Sequence, residues 1–273
     1  MDDTIKRYSE ILETAVVAAK KAGDYLIHRQ KDIKKLDVMK KGPYDIVTEA
    51  DKESEVIIRQ TIISRYPKHA ILGEEGGFSG EERDDYWAID PLDGTVNYAH
   101  GYPFFCVSIG FIENGASVVG VVFDPTHDGL FTAHIGSGAY LNGKRIYVDE
   151  KTKLRDSIVA TGFPHDSKGC IDAYLESFRG ILEKSQGVRR MGSAALDLCS
   201  VARGRAGGFW EPNLKRWDFA AGVLLVVEAG GMVSDFTGGQ KYTDDGDIIA
   251  ASPTVYKEIL PIIKKSFYNK EKK

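Results

Sequence analysis

An apolar run, Trp87-Ala88-Ile89, leads directly into Asp90-Pro91-Leu92-Asp93-Gly94-Thr95, so that two carboxylates stand three residues apart where a buried strand ends. No other segment constrains the fold as much. Two ionised carboxylates held close at low effective dielectric repel by several kcal/mol, and the arrangement becomes comfortable when a hard divalent cation sits between them. Oxygen-only ligands favour magnesium or manganese over zinc. Pro91 stiffens the turn, and Gly94 lets backbone N–H groups come close to an anion, as a phosphate site requires. Taken alone, the segment also reads as a polar turn, because Asp-Pro and Asp-Gly are common turn dipeptides.

Two further acids occupy comparable places. Gly73-Glu74-Glu75-Gly76-Gly77 follows a short apolar strand, and Trp217-Asp218 opens an apolar helix. Singly, Glu74 reads as a solvated loop charge and Asp218 as a helix cap. Together with Asp90 and Asp93 they make four acids at strand or helix ends.

The rest of the chain supplies the frame. Ile5, Tyr8, Leu12, Ala15, Ala19, Ala22 and Leu26 recur at helical spacing, and a lysine-rich, aperiodic stretch from Lys31 to Tyr44 reads as a mobile loop. Thr48-x-x-Asp51 has the form of a capping box opening a second helix that stops before Pro67. Residues 70–72 and 86–89 read as short buried strands. From Phe104 to Val148 the pattern is an antiparallel meander, with Asn114-Gly115 and Asn142-Gly143 as hairpin turns. Beyond about residue 152 strands alternate with helices: strand 157–161, helix 171–182, strand 187–191, helix 194–203, strand 207–210, helix 217–228, strands 231–234 and 248–251, and a last helix 254–267. The change of texture places a boundary near 149–156, between an N-terminal half, 1–150, carrying most of the acids, and a C-terminal half, 151–273, carrying Asp218. The charged tail Lys270 to Lys273 is expected to fray.

The formal net charge of −4 gives no bulk attraction to nucleic acid. Three widely spaced cysteines, Cys106, Cys170 and Cys199, suit neither a disulfide framework nor a zinc ribbon, and a reducing cytoplasm is the expected location. The apolar stretch around Leu224 is cut by Glu228, short of the roughly 20 residues a membrane span needs, and the start, Met1-Asp2-Asp3, has no targeting pattern. Six histidines show no ligand spacing, Asp244-Asp245-Gly246-Asp247 lacks the later glutamate of a calcium loop, and no Ser, Cys or His is placed as a nucleophile.

At this point the chain resembles the inositol monophosphatase family along nearly its whole length. The resemblance rests on Asp90 to Thr95 with Trp87, Ile89, Asn97 and Tyr98 around it, and on Trp217-Asp218-Phe219-Ala220-Ala221-Gly222 continuing to Glu228-Ala229-Gly230-Gly231. Asp45-Ile46-Val47-Thr48-x-x-Asp51, Gly73-Glu74-Glu75 and Gly192-Ser193-Ala194-Ala195 complete the series in order.

The resemblance implies an α+β fold layered α-β-α-β-α, as in inositol monophosphatases and fructose bisphosphatases, with the site in a cleft between the halves. It implies that Glu74, Asp90 and the carbonyl of Leu92 hold one magnesium ion and that Asp90, Asp93 and Asp218 hold a second. A third, weaker ion lies near Glu74, and manganese is a substitute. Asp51 and Thr95 form a pair that, with Glu74, orients and deprotonates the attacking water. Asp93, Gly94 and Thr95 contact the phosphate, while Ser193, Ala194, Glu211 and Arg189, with its neighbour Arg190, face the alcohol. Glu211 alone also reads as a loop acid, and the two arginines as solvated charges. The basic loop around Lys40 closes over the site. The implied substrate is inositol 1-phosphate, with related phosphorylated polyols or sugars, and the resemblance also implies a homodimer and inhibition by lithium. Two other readings stay open: a fructose-1,6-bisphosphatase or dual-specificity sugar phosphatase, with the arginines meeting the second phosphate, and an interaction protein of the transcription machinery.

Overall fold

The computed structural model describes residues 3–31, 38–40, 46–81, 84–163 and 170–268. The first part runs α1 (Asp3–Gln30), β1 (Val38–Lys40), β2 (Ile46–Thr48), α2 (Glu49–Arg65), β3 (Ala70–Gly73), β4 (Gly77–Ser79), β5 (Asp85–Asp93) and α3 (Thr95–Ala99). The meander follows as β6 (Cys106–Glu113), β7 (Ala116–Asp124), β8 (Gly129–His134), β9 (Gly138–Leu141) and β10 (Lys144–Ile146). The remainder is β11 (Ile158–Thr161), α4 (Ile171–Leu182), β12 (Gly187–Arg189), α5 (Ala194–Ala202), β13 (Gly208–Glu211), α6 (Arg216–Glu228), β14 (Met232–Ser234), α7 (Tyr242–Asp245), β15 (Ile248–Ala251) and α8 (Pro253–Tyr268).

The strands form an eight-stranded sheet, ordered β10-β9-β8-β7-β6-β5-β3-β4, and a five-stranded sheet, ordered β12-β11-β13-β15-β14. In the first only the β3–β5 pair is parallel; in the second β11 runs parallel to β12 and β13, and β15 antiparallel to β13 and β14. Five layers result, α-β-α-β-α. Helices α1 and α2 bury Ile11, Leu26 and Ile58 with Ile89, Ile109 and Val121 on the outer face of the large sheet. Helices α4 and α8 do the same on the outer face of the small one, with Trp210 and Ile249. Helices α5 and α6 lie between the sheets, where Phe209 and Ala250, one step along from Trp210 and Ile249, point the other way.

The central helix α6 explains its own sequence. Every residue from Phe219 to Val226 is buried, as an all-round apolar helix must be. It sits close to the large sheet because the cross-strand pair Gly110 and Gly120 leaves room. A Cβ on Gly110 would stand 2.8 Å from the Ala220 side chain, and one on Gly120 would stand 2.8 Å from the Ala221 carbonyl. That seating brings the first turn of α6, with Asp218, against the end of β5.

The two expected hairpins are present, with Asn114 and Asn142 at φ near 50° and Gly115 and Gly143 following at positive φ. The stretch 31–44, expected as a loop, contains β1, which pairs antiparallel with β2; β-branched Val38, Ile46, Val47 and Thr48 favour that local ribbon. The other expectations for that stretch, including closure by the loop around Lys40, lie outside the described residues. So do Asp45, the Thr48 side chain and the tail 270–273. Among the described residues, no helix is long and apolar enough to cross a membrane.

Candidate active site

The register of β5 against β6 decides where the first two acids point. It runs Ile89↔Ile109 and Asp90↔Ser108, then resumes at Asp93↔Cys106. β5 thus uses one residue more than β6 over this interval, a β-bulge placed where Pro91 has no N–H to give to the ladder. Paired residues share a face of the sheet, and Ser108 and Cys106 are two residues apart, hence on the same face. Asp90 and Asp93 would face opposite ways on a regular strand; the bulge turns both toward the α5–α6 layer. Leu92 buries its side chain with Ile89 in the α1–α2 layer, and the hydroxyl of Ser54 donates to the Pro91 carbonyl at 2.8 Å.

The acids here repel one another. Asp90 is only 2% exposed. Burial pushes its carboxyl well above the usual range, the charges of Glu74, Asp93 and Asp218 push it further, and the Leu92 amide, donating at 3.0 Å, opposes them. Burial likewise raises Asp218, with Asp93 and Glu74 adding to it; the Lys215 amide donates to Asp218 Oδ2 at 2.6 Å and pulls the other way. Asp218 therefore does cap α6, as it also reads in isolation, while facing the other acids. Asp93 is raised by burial and restrained by the Ser193 hydroxyl and the Ala195 amide, each donating to Oδ2 at 2.7 Å.

An all-oxygen set that repels itself in this way fits a divalent cation. Among the described residues, no three His, Cys, Asp or Glu gather tightly enough to enclose an ion by themselves. The set suits a cation whose shell the carboxylates share with backbone oxygen and water, which is the habit of magnesium.

One face of α2 positions three parts of this site. Asp51 Oδ1 accepts from the Thr95 hydroxyl at 2.9 Å. That hydroxyl also lies 3.1 Å from the Leu92 carbonyl; it has one proton, and the carboxylate is the stronger acceptor. One turn on, Glu55 accepts from the Glu75 and Gly76 amides, both at 2.8 Å, and from Arg59 Nε at 2.7 Å, which fixes the turn carrying Glu74. Sequence reasoning missed Ser54 and Glu55. Their signal was present: Asp51, Ser54 and Glu55 share the buried stripe of α2 with Ile58 and Ile62, and polar groups in an apolar stripe need partners.

Gly94 links β5 to α3 at φ 97° and ψ 36°. A Cβ there would stand 2.9 Å from the Phe104 carbonyl, so both conformation and space require glycine. The Asn97 amide nitrogen donates to the carbonyls of Phe104 at 2.7 Å and Met191 at 2.9 Å, tying α3 to the segment that leads into α5. At the head of α5, Ser193 is the N-cap, accepting from the Leu196 amide at 3.3 Å.

These elements enclose a cleft of about 420 Å³ whose walls include Glu74, Asp93, Ser193, Ala194, Glu211 and Asp218. Glu211 is not a loop acid: it ends β13, 8% exposed. Burial and the charges of Asp197, Asp218 and Asp93 raise it well above the usual range, against Arg190. The expectation for Arg189 requires correction. Arg190 lines this cleft, with its guanidinium 5.0 Å from the centre of the Phe163 ring. Arg189, one step back in the extended segment, faces a different cavity and donates to the Val188 carbonyl at 3.1 Å, because successive side chains of extended backbone alternate sides. Asp197, 2% exposed on the cleft wall, was also missed; it is the one acid in the otherwise apolar and small-residue sequence of α5.

The chain matches the model of the Inositol monophosphatase family over residues 7–267. It is 42% identical over 258 residues to an inositol-1-monophosphatase of Mesorhizobium japonicum, covering 94% of this chain and 97% of that protein. To the Nus factor SuhB of Escherichia coli strain K12 it is 45% identical over 251 residues, covering 92% and 94%. Among solved structures, the extragenic suppressor protein SuhB of Bartonella henselae superposes with a TM-score of 0.90 at 42% identity, covering 94% of this chain and 99% of that one.

Proposed function

Because the chain belongs to the inositol monophosphatase family, we propose that it is a magnesium-dependent phosphomonoesterase that hydrolyses inositol 1-phosphate to inositol and phosphate. The observation that carries this reading is the bulge in β5, which turns Asp90 and Asp93 to one face within electrostatic reach of Glu74 and Asp218. On this reading Glu74, Asp90 and the Leu92 carbonyl hold one ion, Asp90, Asp93 and Asp218 a second, and a third binds weakly near Glu74; manganese substitutes. Magnesium held there would acidify water and offset the charge of the phosphate.

The chain's own groups do the rest. Asp51 takes the hydrogen bond of the Thr95 hydroxyl, which leaves the lone pairs of Thr95 Oγ1 to orient the attacking water while Glu74 receives its proton. The water oxygen bonds to phosphorus, the ester P–O bond breaks, and the departing alkoxide oxygen takes a proton from solvent water while Glu74 returns its own to solvent, so no enzyme nucleophile is required. Asp93, Gly94 and Thr95, at the start of α3, grip the phosphate. Ser193 and Ala194 line the approach, and Glu211 accepts hydrogen bonds from the hydroxyls of the polyol. Residues 1–150 and 151–273 act as two halves of one catalytic unit, a cytoplasmic homodimer inhibited by lithium.

The test is phosphate release from inositol 1-phosphate and from fructose 1,6-bisphosphate, compared by kcat/KM, with and without chelator and with Asp93→Asn as control. Preference for inositol 1-phosphate, lost on chelation, is the expected result. Equal or better turnover of the bisphosphate reassigns the enzyme as a dual sugar phosphatase, with Arg190 as the group to meet the second phosphate. Metal-independent release ends the reading.

The likeness to a protein named a Nus factor favours a second role, binding to the transcription machinery. A pull-down with Asp93→Asn separates the two roles, since partner capture by a variant without turnover supports the second.

A further inference from the structure

We propose that a second cavity, on the flank of α5 presented by Leu196, Ser200 and Arg203, is a binding site for a small organic anion with an apolar or aromatic body. Residues 196, 200 and 203 lie at i, i+4 and i+7, one face of that helix. The cavity holds about 520 Å³, within the roughly 300–1,000 Å³ usual for small-ligand sites. Phe104, Phe131, Leu141, Ile158 and Leu196 give it an apolar lining.

Three arginines line the same cavity from separate places: Arg189 from the end of β12, Arg203 from the end of α5 and Arg205 from the turn beyond it. Among the described residues, none of the three is ion-paired with a carboxylate. Arg203 lies over the Phe131 ring, 5.9 Å from its centre. The carboxylates nearby do not cancel this charge. Asp124 is engaged locally, accepting from the Thr126 amide at 2.9 Å and bonded to His127 Nδ1 at 2.9 Å. Asp197 is 2% exposed, and its burial favours the neutral form.

An arginine at a helix C-terminus complements the helix dipole, and exposed arginines are commonly solvated. Neither fact accounts for three segments converging on one apolar hollow. Guanidinium forks match carboxylate and phosphate in the plane, and their faces stack on rings; with Phe131 beneath, they select an anion attached to a flat body over a free anion. The cavity is separate from the acid cleft, with Asp197 lining both.

The test is calorimetric titration of the full-length protein, wild type and Asp93→Asn, in chelator, with adenosine 5′-monophosphate, 4-hydroxybenzoate and inorganic phosphate. At least one ring-bearing anion is expected to bind one site per chain about tenfold or more tighter than inorganic phosphate, equally to both proteins, and to lose about tenfold in Arg203→Gln. The nucleotide and the aromatic acid distinguish a phosphate from a carboxylate ligand. Arg205→Gln, outside the helix, repeats the loss without touching the α5 terminus, and unchanged Tm values keep both variants interpretable. Binding unaffected by both substitutions, ring-bearing anions that bind no tighter than phosphate, or binding abolished by Asp93→Asn overturns the proposal.

Discussion

The hydroxyl of Ser193, at the head of α5, donates to Asp93 Oδ2 at 2.7 Å, and the Ala195 amide donates to the same oxygen at 2.7 Å. A strand end of the large sheet is thereby fastened to the N-terminus of a helix that lies between the sheets. The contact holds the Asp93 carboxylate in one orientation and draws its pKa down against burial.

Ser193→Ala removes this charge-assisted bond and the helix cap together. A loss of about 1–3 kcal/mol in unfolding free energy is expected from denaturant titration, with a higher magnesium concentration for half-maximal phosphate release. Ser193→Thr restores both. Unchanged metal activation in Ser193→Ala shows that Asp93 does not depend on this contact.

On the proposed mechanism the Asp51–Thr95 pair acts on the water and not on the ester. Asp51→Asn and Thr95→Ala are each expected to lower kcat by about 10²–10⁴-fold with KM little changed, and the double variant to fall little further, since the two residues work as one unit. Steady-state kinetics on inositol 1-phosphate decide this. A multiplicative loss in the double variant separates their roles.

Glu55 never reaches the cleft wall but holds the turn bearing Glu74 through two amides. Glu55→Ala leaves those amides and Arg59 Nε without their acceptor, at a cost of about 2–4 kcal/mol. The expected signature is a lower Tm and weaker magnesium activation, with the KM for substrate at saturating metal unchanged. Glu55→Gln keeps one acceptor oxygen and recovers part of both.

Asp235 gives the stability a defined pH dependence. Burial raises its pKa, but the Thr237 hydroxyl and the amides of Gly239, Lys241 and Thr237 outweigh burial and bring it to about 2, below the ordinary aspartate value of 3.8. A depressed folded-state pKa contributes stability that is complete above the unfolded value and lost as pH falls through the folded one. About 2 kcal/mol should disappear between roughly pH 4 and pH 2, measured as the difference between wild type and Asp235→Asn in unfolding free energy against pH. A difference that is constant with pH would falsify the assignment to this group.

Much of the fold was legible because its signals are local. Helix α4 and the hairpins at Asn114-Gly115 and Asn142-Gly143 follow from apolar spacing and from residues that tolerate positive φ. The short ribbon β1–β2 and the five-residue α3 escaped notice, since neither is long enough to show a period. Glu74, Asp93, Ser193, Ala194, Glu211 and Asp218 line one cleft, while Glu55 and Asp197 were hidden inside helices whose apolar residues set the pattern.

The sequence by itself determined which elements form and which acids end them, because propensity, turn chemistry and hydrophobic period act over a few residues. The tertiary structure alone decided which way those acids face. Asp90 and Asp93 share a face only through the register of β5 on β6, Arg190 and not Arg189 enters the cleft through the alternation of extended backbone beside α5, and Asp218 meets the other acids because Gly110 and Gly120 let α6 settle onto the sheet. Each outcome depends on contacts between residues far apart in the chain, and such contacts exist only once the layers have packed.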